Sequence, residues 1–179
     1  MTDIKFKIDK AVLAKIEAFI ASKPTVKIGI LSNQWQTPPD DENERKIGPV
    51  ELGMVHEFGS KSRNIPARSF LRKTAVLRAN DFQAEITANR EKIFQSIAEG
   101  RGQEVLEKVG ATWVGYVLDA FDSGGPGWRP LKRATVRRRR LVATGKILKS
   151  GKAEMKRSRK ILWVTGALAR SIHYEVSKP

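Results

Sequence analysis

The stretch QEVLEKVGATWVGYVLDAFD, Gln103 to Asp122, decides the architecture of this chain. Val105, Val109, Trp113, Tyr116 and Ala120 recur at three- and four-residue spacing, with Leu106, Val117 and Phe121 beside them. That is the period of an α-helix with one apolar face. Such a face has to be covered by a second layer. Gly100 and Gly102 precede the helix, and Ser123-Gly124-Gly125-Pro126-Gly127 reads as the loop that follows it. In this setting Trp113 and Tyr116 are core residues rather than a platform for stacking bases.

The rest of the chain supplies the cover. Ile4, Phe6 and Ile8 alternate with Lys5, Lys7 and Asp9 as a short strand. Asp9 then suits the N-cap of a helix to about Ser22, with Val12, Leu13, Ile16, Phe19 and Ile20 on one face. Pro24 stops it, and Thr25 to Leu31 is a strand with Val26, Ile28 and Ile30 on one side. Pro49 opens a helix to about Phe58 and Gly59 closes it. Lys61 to Pro66 is a turn. A helical stretch runs from about Arg68 to Ala98, with a break expected at Asn80-Asp81. Leu131 to Arg140 reads as one or two helical turns and Leu141 to Val164 as an arm or hairpin. Thr165 to Ser171 reads as a brief turn or helix, and Ile172, Tyr174 and Val176 as a last strand. The class is α+β: helices on one face of a small, mainly antiparallel sheet, plus two long loops or arms.

At 179 residues the chain is expected to be a single domain, 1–179, with an acidic loop over 32–48 and a basic arm over 137–162. A folded monomer of this size buries roughly 70% of its extended-chain surface, so a core forms without staples. No apolar run is long enough to span a membrane, and Met1-Thr2-Asp3-Ile4-Lys5 lacks the apolar stretch of a signal peptide. Cysteine is absent, which removes disulfides, thiolate catalysis and sulfur-ligated zinc. With two histidines in the chain, a multi-histidine metal centre is not expected.

Charge is where the sequence departs from an ordinary domain. The formal net charge is +15. Arg129 to Lys160 holds 14 basic residues against the single Glu154, while the other 147 residues are close to neutral. This segment therefore poses its own functional question. Three uses fit it: binding phosphates, docking on an acidic protein surface, or serving as a solvated arm. No aromatic residue interleaves its charges, which disfavours single-strand stacking. Without a recognition-helix or zinc-finger motif, contact with DNA would be to the backbone and indifferent to sequence.

Enzyme readings find little support. Gly145-Lys146 and Gly151-Lys152 lack the distant glycine and following Ser or Thr of a phosphate-binding loop. The 123–127 glycines follow a helix rather than a strand, and no G-x-S-x-G elbow exists. His56-Glu57 at a helix end and His173 in the polar phase of a strand read as structural. The expectation is a non-enzyme with no catalytic residue, no metal and no cofactor.

Two sets of residues look familiar together. One is Val50-Glu51-Leu52-Gly53-Met54-Val55-His56-Glu57-Phe58-Gly59 followed by Asn64-Ile65-Pro66-Ala67-Arg68-Ser69-Phe70-Leu71. The other is Trp128-Arg129-Pro130-Leu131, then Thr135 and Arg139, then Thr165-Gly166-Ala167-Leu168-Ala169-Arg170-Ser171-Ile172. In this order they resemble the tail-completion or neck (head–tail joining) proteins of tailed bacteriophages and prophages, over about Val26 to Val176. Ser69 stands where a proline is common in that pattern.

The resemblance implies a virion protein of the neck or tail top, assembled in the bacterial host cytoplasm. It implies a homo-oligomeric ring, six-fold, whose partners are a portal or head–tail connector protein and a tail terminator or tail tube protein, with the DNA backbone in the channel a further one. Partner or DNA-backbone contact falls to Arg133, Arg137, Arg138, Arg139, Arg140, Lys156, Arg157, Arg159 and Lys160. Contact between subunits falls to Asp40, Asp41, Glu42, Glu44 and Arg68. Arg68 has two open pairings, Glu57 of its own chain or a carboxylate on a neighbour. The alternative function is a sequence-independent nucleic-acid-binding module acting through the arm.

Overall fold

A computed structural model describes residues 9–32, 47–136 and 166–177. The elements run α1 (Lys10–Ala21), β1 (Val26–Gly29), α2 (Pro49–Phe58), α3 (Arg72–Ala98), α4 (Gly102–Asp122), α5 (Ala167–Arg170) and β2 (His173–Val176). A single helical turn at 133–136 lies between α4 and α5. The expected strand over residues 4–8, the acidic loop residues Asp40, Asp41, Glu42 and Glu44, the arm from Arg137 onward and the Thr165 cap lie outside the described residues.

Local chemistry explains most boundaries. The Asp9 side chain accepts a hydrogen bond from the Ala11 amide at 2.9 Å and caps α1. Pro49 occupies the start of α2, where its missing N–H costs nothing. Gly59 ends α2 at φ +78°, and a Cβ there would sit 2.8 Å from the Ala67 amide nitrogen. Only glycine fits that corner.

β1 and β2 pair antiparallel, with Val26 opposite Val176, Ile28 opposite Tyr174 and Lys27 opposite Glu175. The α+β class with a small antiparallel sheet is therefore what forms. α4 packs on both strands and on α3, and α1 packs on α3. Gly110 lets the sheet approach α4 closely, because a Cβ there would lie 2.4 Å from the Tyr174 ring. The core is a cluster of Phe70, Val117, Phe121, Trp128, Leu168, Ala169 and Ile172. Phe121 sits at its centre, edge-on to Phe70 at 5.2 Å and to Trp128 at 5.9 Å. Trp113 and Tyr116 lie off this centre, half-buried, and Trp113 stacks against Phe82 of α3.

Three expectations are corrected. α3 starts at Arg72 rather than Arg68, because Phe70 has to reach the core before the helix begins. It is continuous through Asn80 and Asp81, which are exposed positions where a polar residue is tolerated, and Arg78 pairs with Asp81 along the helix at 2.8 Å. On α1, Leu13 and Ile20 are exposed although they share the predicted apolar face; Val12, Ile16 and Phe19 use the part of it that is covered.

Candidate functional site: a cationic cleft beside a carboxylate clamp

The first stretch, from Val50 to Leu71, builds a corner between two helices. Leu71 is the N-cap of α3 and has no side-chain acceptor to offer the first amides. Glu57, at the end of α2, supplies one. Its carboxylate accepts from the backbone amides of Phe70 at 2.8 Å, Leu71 at 3.0 Å and Arg72 at 3.2 Å. The Ser69 hydroxyl donates to it at 2.6 Å and Arg72 Nε at 3.0 Å. Glu57 is 4% exposed. A buried anion at a helix N-terminus meets both the orphan amides and the positive end of the helix dipole. Burial alone would raise the Glu57 pKa. The hydrogen bonds from Leu71, Ser69 and Arg72 outweigh it and hold the carboxyl below its ordinary value. The Ser69 hydroxyl also accepts from the Lys73 amide.

The second stretch crosses to the first. Trp128 Nε1 donates to the Ser69 carbonyl oxygen at 3.2 Å, fixing the start of a strap, residues 128–135, beside the start of α3. On the other side the chain makes a tight hairpin. Ser60 and Ile65 exchange both backbone hydrogen bonds at 2.9 Å, and Asn64 takes φ +51° at the tip. The Arg68 amide then donates to the His56 carbonyl oxygen at 2.7 Å.

Between hairpin and strap lies a cleft of about 880 Å³. Its cations are Lys61, Arg63 and Arg68 from the first stretch and Arg129 and Lys132 from the second. Among the described residues, no acidic side chain lines it. Ile65, Pro66, Pro130 and Leu131 give it an apolar share. Among the described residues none of the five cations takes part in an ion pair.

Arg68 is the unusual member. It is 7% exposed, and its Nε is buried without a hydrogen-bond partner. Burial pushes its guanidinium below the ordinary arginine value. The intrachain pairing with Glu57 does not form: Glu57 is committed to the α3 amides and to Arg72. Burying a charge without a counter-ion is strongly unfavourable.

Of the predicted partner-binding residues, Arg133 is described and exposed, on the strap between the cleft-lining Lys132 and Thr135 but not itself among the lining residues. Arg137, Arg138, Arg139, Arg140, Lys156, Arg157, Arg159 and Lys160 lie outside the described residues. Lys61, Arg63, Arg129 and Lys132 were not singled out as site residues. The last two belong to the basic segment, which was the available signal; Lys61 and Arg63 had none, since they reach the cleft only through the hairpin. Among the described residues, no group of three or more His, Asp or Glu is placed to hold a metal, and no helix is long and apolar enough to cross a membrane.

No protein-family model, curated protein or solved structure matches this chain.

Proposed function

We propose that this chain is a structural, non-enzymatic subunit of a tailed bacteriophage or prophage particle, forming a ring at the neck or tail top that joins head to tail. The observation that carries this reading is that the two stretches resembling neck proteins converge. They share one core through Phe70, Trp128, Leu168 and Ile172, and together they wall one cationic cleft. Residues of the pattern thus position surfaces for contact.

Exposed apolar side chains support an assembling subunit. Met54 and Phe58 lie four residues apart on α2 and are 57% and 60% exposed. A groove of about 210 Å³ beside them is lined by Ile30, Val50, Phe70 and Leu71. Apolar surface grouped in this way suits contact with another protein. Under this reading the partners are further copies of the chain, a portal or connector protein, a tail terminator or tube protein, and the DNA backbone in the channel.

Reversing Arg137 to Arg140 to glutamate is expected to block head–tail joining and to collapse the yield of infectious particles; an unchanged yield contradicts the proposal. The concentrated charge also favours a second reading, sequence-independent binding of nucleic acid by the free chain. Six to ten phosphate contacts would make duplex affinity fall about 10³–10⁵-fold between 50 and 200 mM salt. Tight duplex binding by the isolated monomer with that salt dependence selects the second reading over the first.

A further inference from the structure

We infer that the cleft between the 60–65 hairpin and the 128–135 strap is a docking site for a carboxylate-bearing, extended peptide segment of a partner protein, with the carboxylate seated on Arg68. The inference does not depend on the ring: it holds for any assembly the chain enters.

Three observations carry it. The first is the orphan charge. Arg68 lines the cleft, is 93% withdrawn from solvent, and has an Nε that meets no acceptor. A buried guanidinium is tolerable when an anion reaches it, and the planar fork of arginine matches a carboxylate in two parallel hydrogen bonds. The chain's own nearby carboxylate, Glu57, is taken. The second is the field. Lys61, Arg63, Arg129 and Lys132 surround the opening with no acidic residue among the described lining groups, and this charge draws an anion in.

The third is shape and lining, which separate a peptide from a nucleic acid. A duplex is a convex rod whose phosphates are fixed on its outside, so it contacts exposed cations and does not reach a guanidinium at this depth. A single strand would need a run of aromatic faces for successive bases, whereas the lining offers one phenyl ring, Phe58, already covered by the Arg72 guanidinium at 4.5 Å, and the His56 imidazole, beside the aliphatic wall of Ile65, Pro66, Pro130 and Leu131. An acidic side chain on an extended peptide reaches down to Arg68 while its apolar neighbours lie on that wall. The rim lysines and arginines are exposed, where ion pairs add little affinity. They contribute mainly to capture, and Arg68 to retention.

The test uses the full-length protein and a fluorescein-labelled hexapeptide of alternating leucine and glutamate, followed by fluorescence anisotropy at ~0.15 M salt. The same peptide with glutamine in place of glutamate is the control. The glutamate peptide is expected to bind and the glutamine peptide to fail. Arg68→Met is expected to weaken binding at least about tenfold, the scale of one charge-assisted hydrogen bond. Its melting temperature without peptide should be no lower than that of the wild type, since an uncompensated buried charge has been removed. A purely structural Arg68 would show the reverse, a lowered melting temperature with unchanged affinity, and that result overturns the inference.

If Arg68→Met does not fold, the exposed double variant Arg129→Ala/Lys132→Ala decides alone. Slower association of the glutamate peptide supports the inference, and an unchanged association rate overturns it. Competition separates the anions. Displacement of the peptide by inorganic phosphate at equal concentration, or by a short DNA duplex in an Arg68-dependent way, also overturns it.

Discussion

Glu57→Ala is expected to destabilise the fold by about 3–5 kcal/mol, the cost of removing one partner from a buried charged network. For a chain of this length that corresponds to a fall of roughly 6–20 °C in melting temperature. The size follows from what the carboxylate holds. Three backbone amides at the start of α3, from Phe70, Leu71 and Arg72, share its two oxygens with the Ser69 hydroxyl and Arg72 Nε. Alanine leaves the buried Phe70 amide with no acceptor and detaches α3 from α2. Arg72 is largely exposed, so the Arg72 pair itself is a minor part of the loss. Thermal unfolding followed by circular dichroism checks the prediction, and a loss below about 1 kcal/mol contradicts it.

The same carboxylate makes a signed prediction about pH. Its folded pKa lies below the ordinary 4.5, so it binds fewer protons in the folded than in the unfolded state near that pH. Its contribution is complete above about pH 4.5 and is lost as the pH falls through the lowered folded value. The wild type should therefore lose melting temperature in acid more steeply than Glu57→Gln, which carries no titrating group there. Parallel profiles for the two proteins contradict the clamp.

Phe121→Ala should cost a comparable amount, about 3–5 kcal/mol, as expected for emptying a fully buried aromatic site. Phe121 is 0% exposed and touches both Phe70 and Trp128 edge-on. Its loss removes the wall against which Trp128 rests, and Trp128 anchors the strap to Ser69. The variant is thus expected to lose peptide binding at the cleft as well as stability. Trp113→Ala, on the half-buried face between α3 and α4, should cost distinctly less and leave the cleft intact. Urea unfolding of the two variants measures the difference; equal losses would mean that the core is centred elsewhere.

Where structure is encoded locally, the sequence was readable. Asp9 at the head of α1, Pro49 and Gly59 bounding α2, the α4 stripe and the two alternating strands all carry their signal within a few residues. The start of α3 was not readable in that way. Its capping group comes from Glu57, across the hairpin, and the only local hint was negative: Leu71 offers no oxygen where a helix begins. Of the two pairings left open for Arg68, the one with Glu57 does not form, for the same reason. Proximity in sequence suggested an ion pair, but the two carboxylate oxygens are already taken by three amides, the Ser69 hydroxyl and Arg72 Nε. The cleft was invisible because its walls are more than 60 residues apart in the chain and are brought together by tertiary contacts, the Trp128 hydrogen bond to Ser69 among them. What composition did show was the excess of cations from Arg129 onward, and the first of these, Arg129 and Lys132, are the ones the fold brings opposite Lys61 and Arg63.

The most direct measurement is the location and copy number of the chain in assembled particles, by electron cryo-microscopy of tailed particles from the host that carries the gene. The expected result is several copies closed into a ring at the head–tail junction, with an acidic segment of a neighbouring chain lying in the cleft beside Arg68. Particles that join heads to tails without this chain, or that carry it as isolated copies away from the junction, would contradict the proposed function.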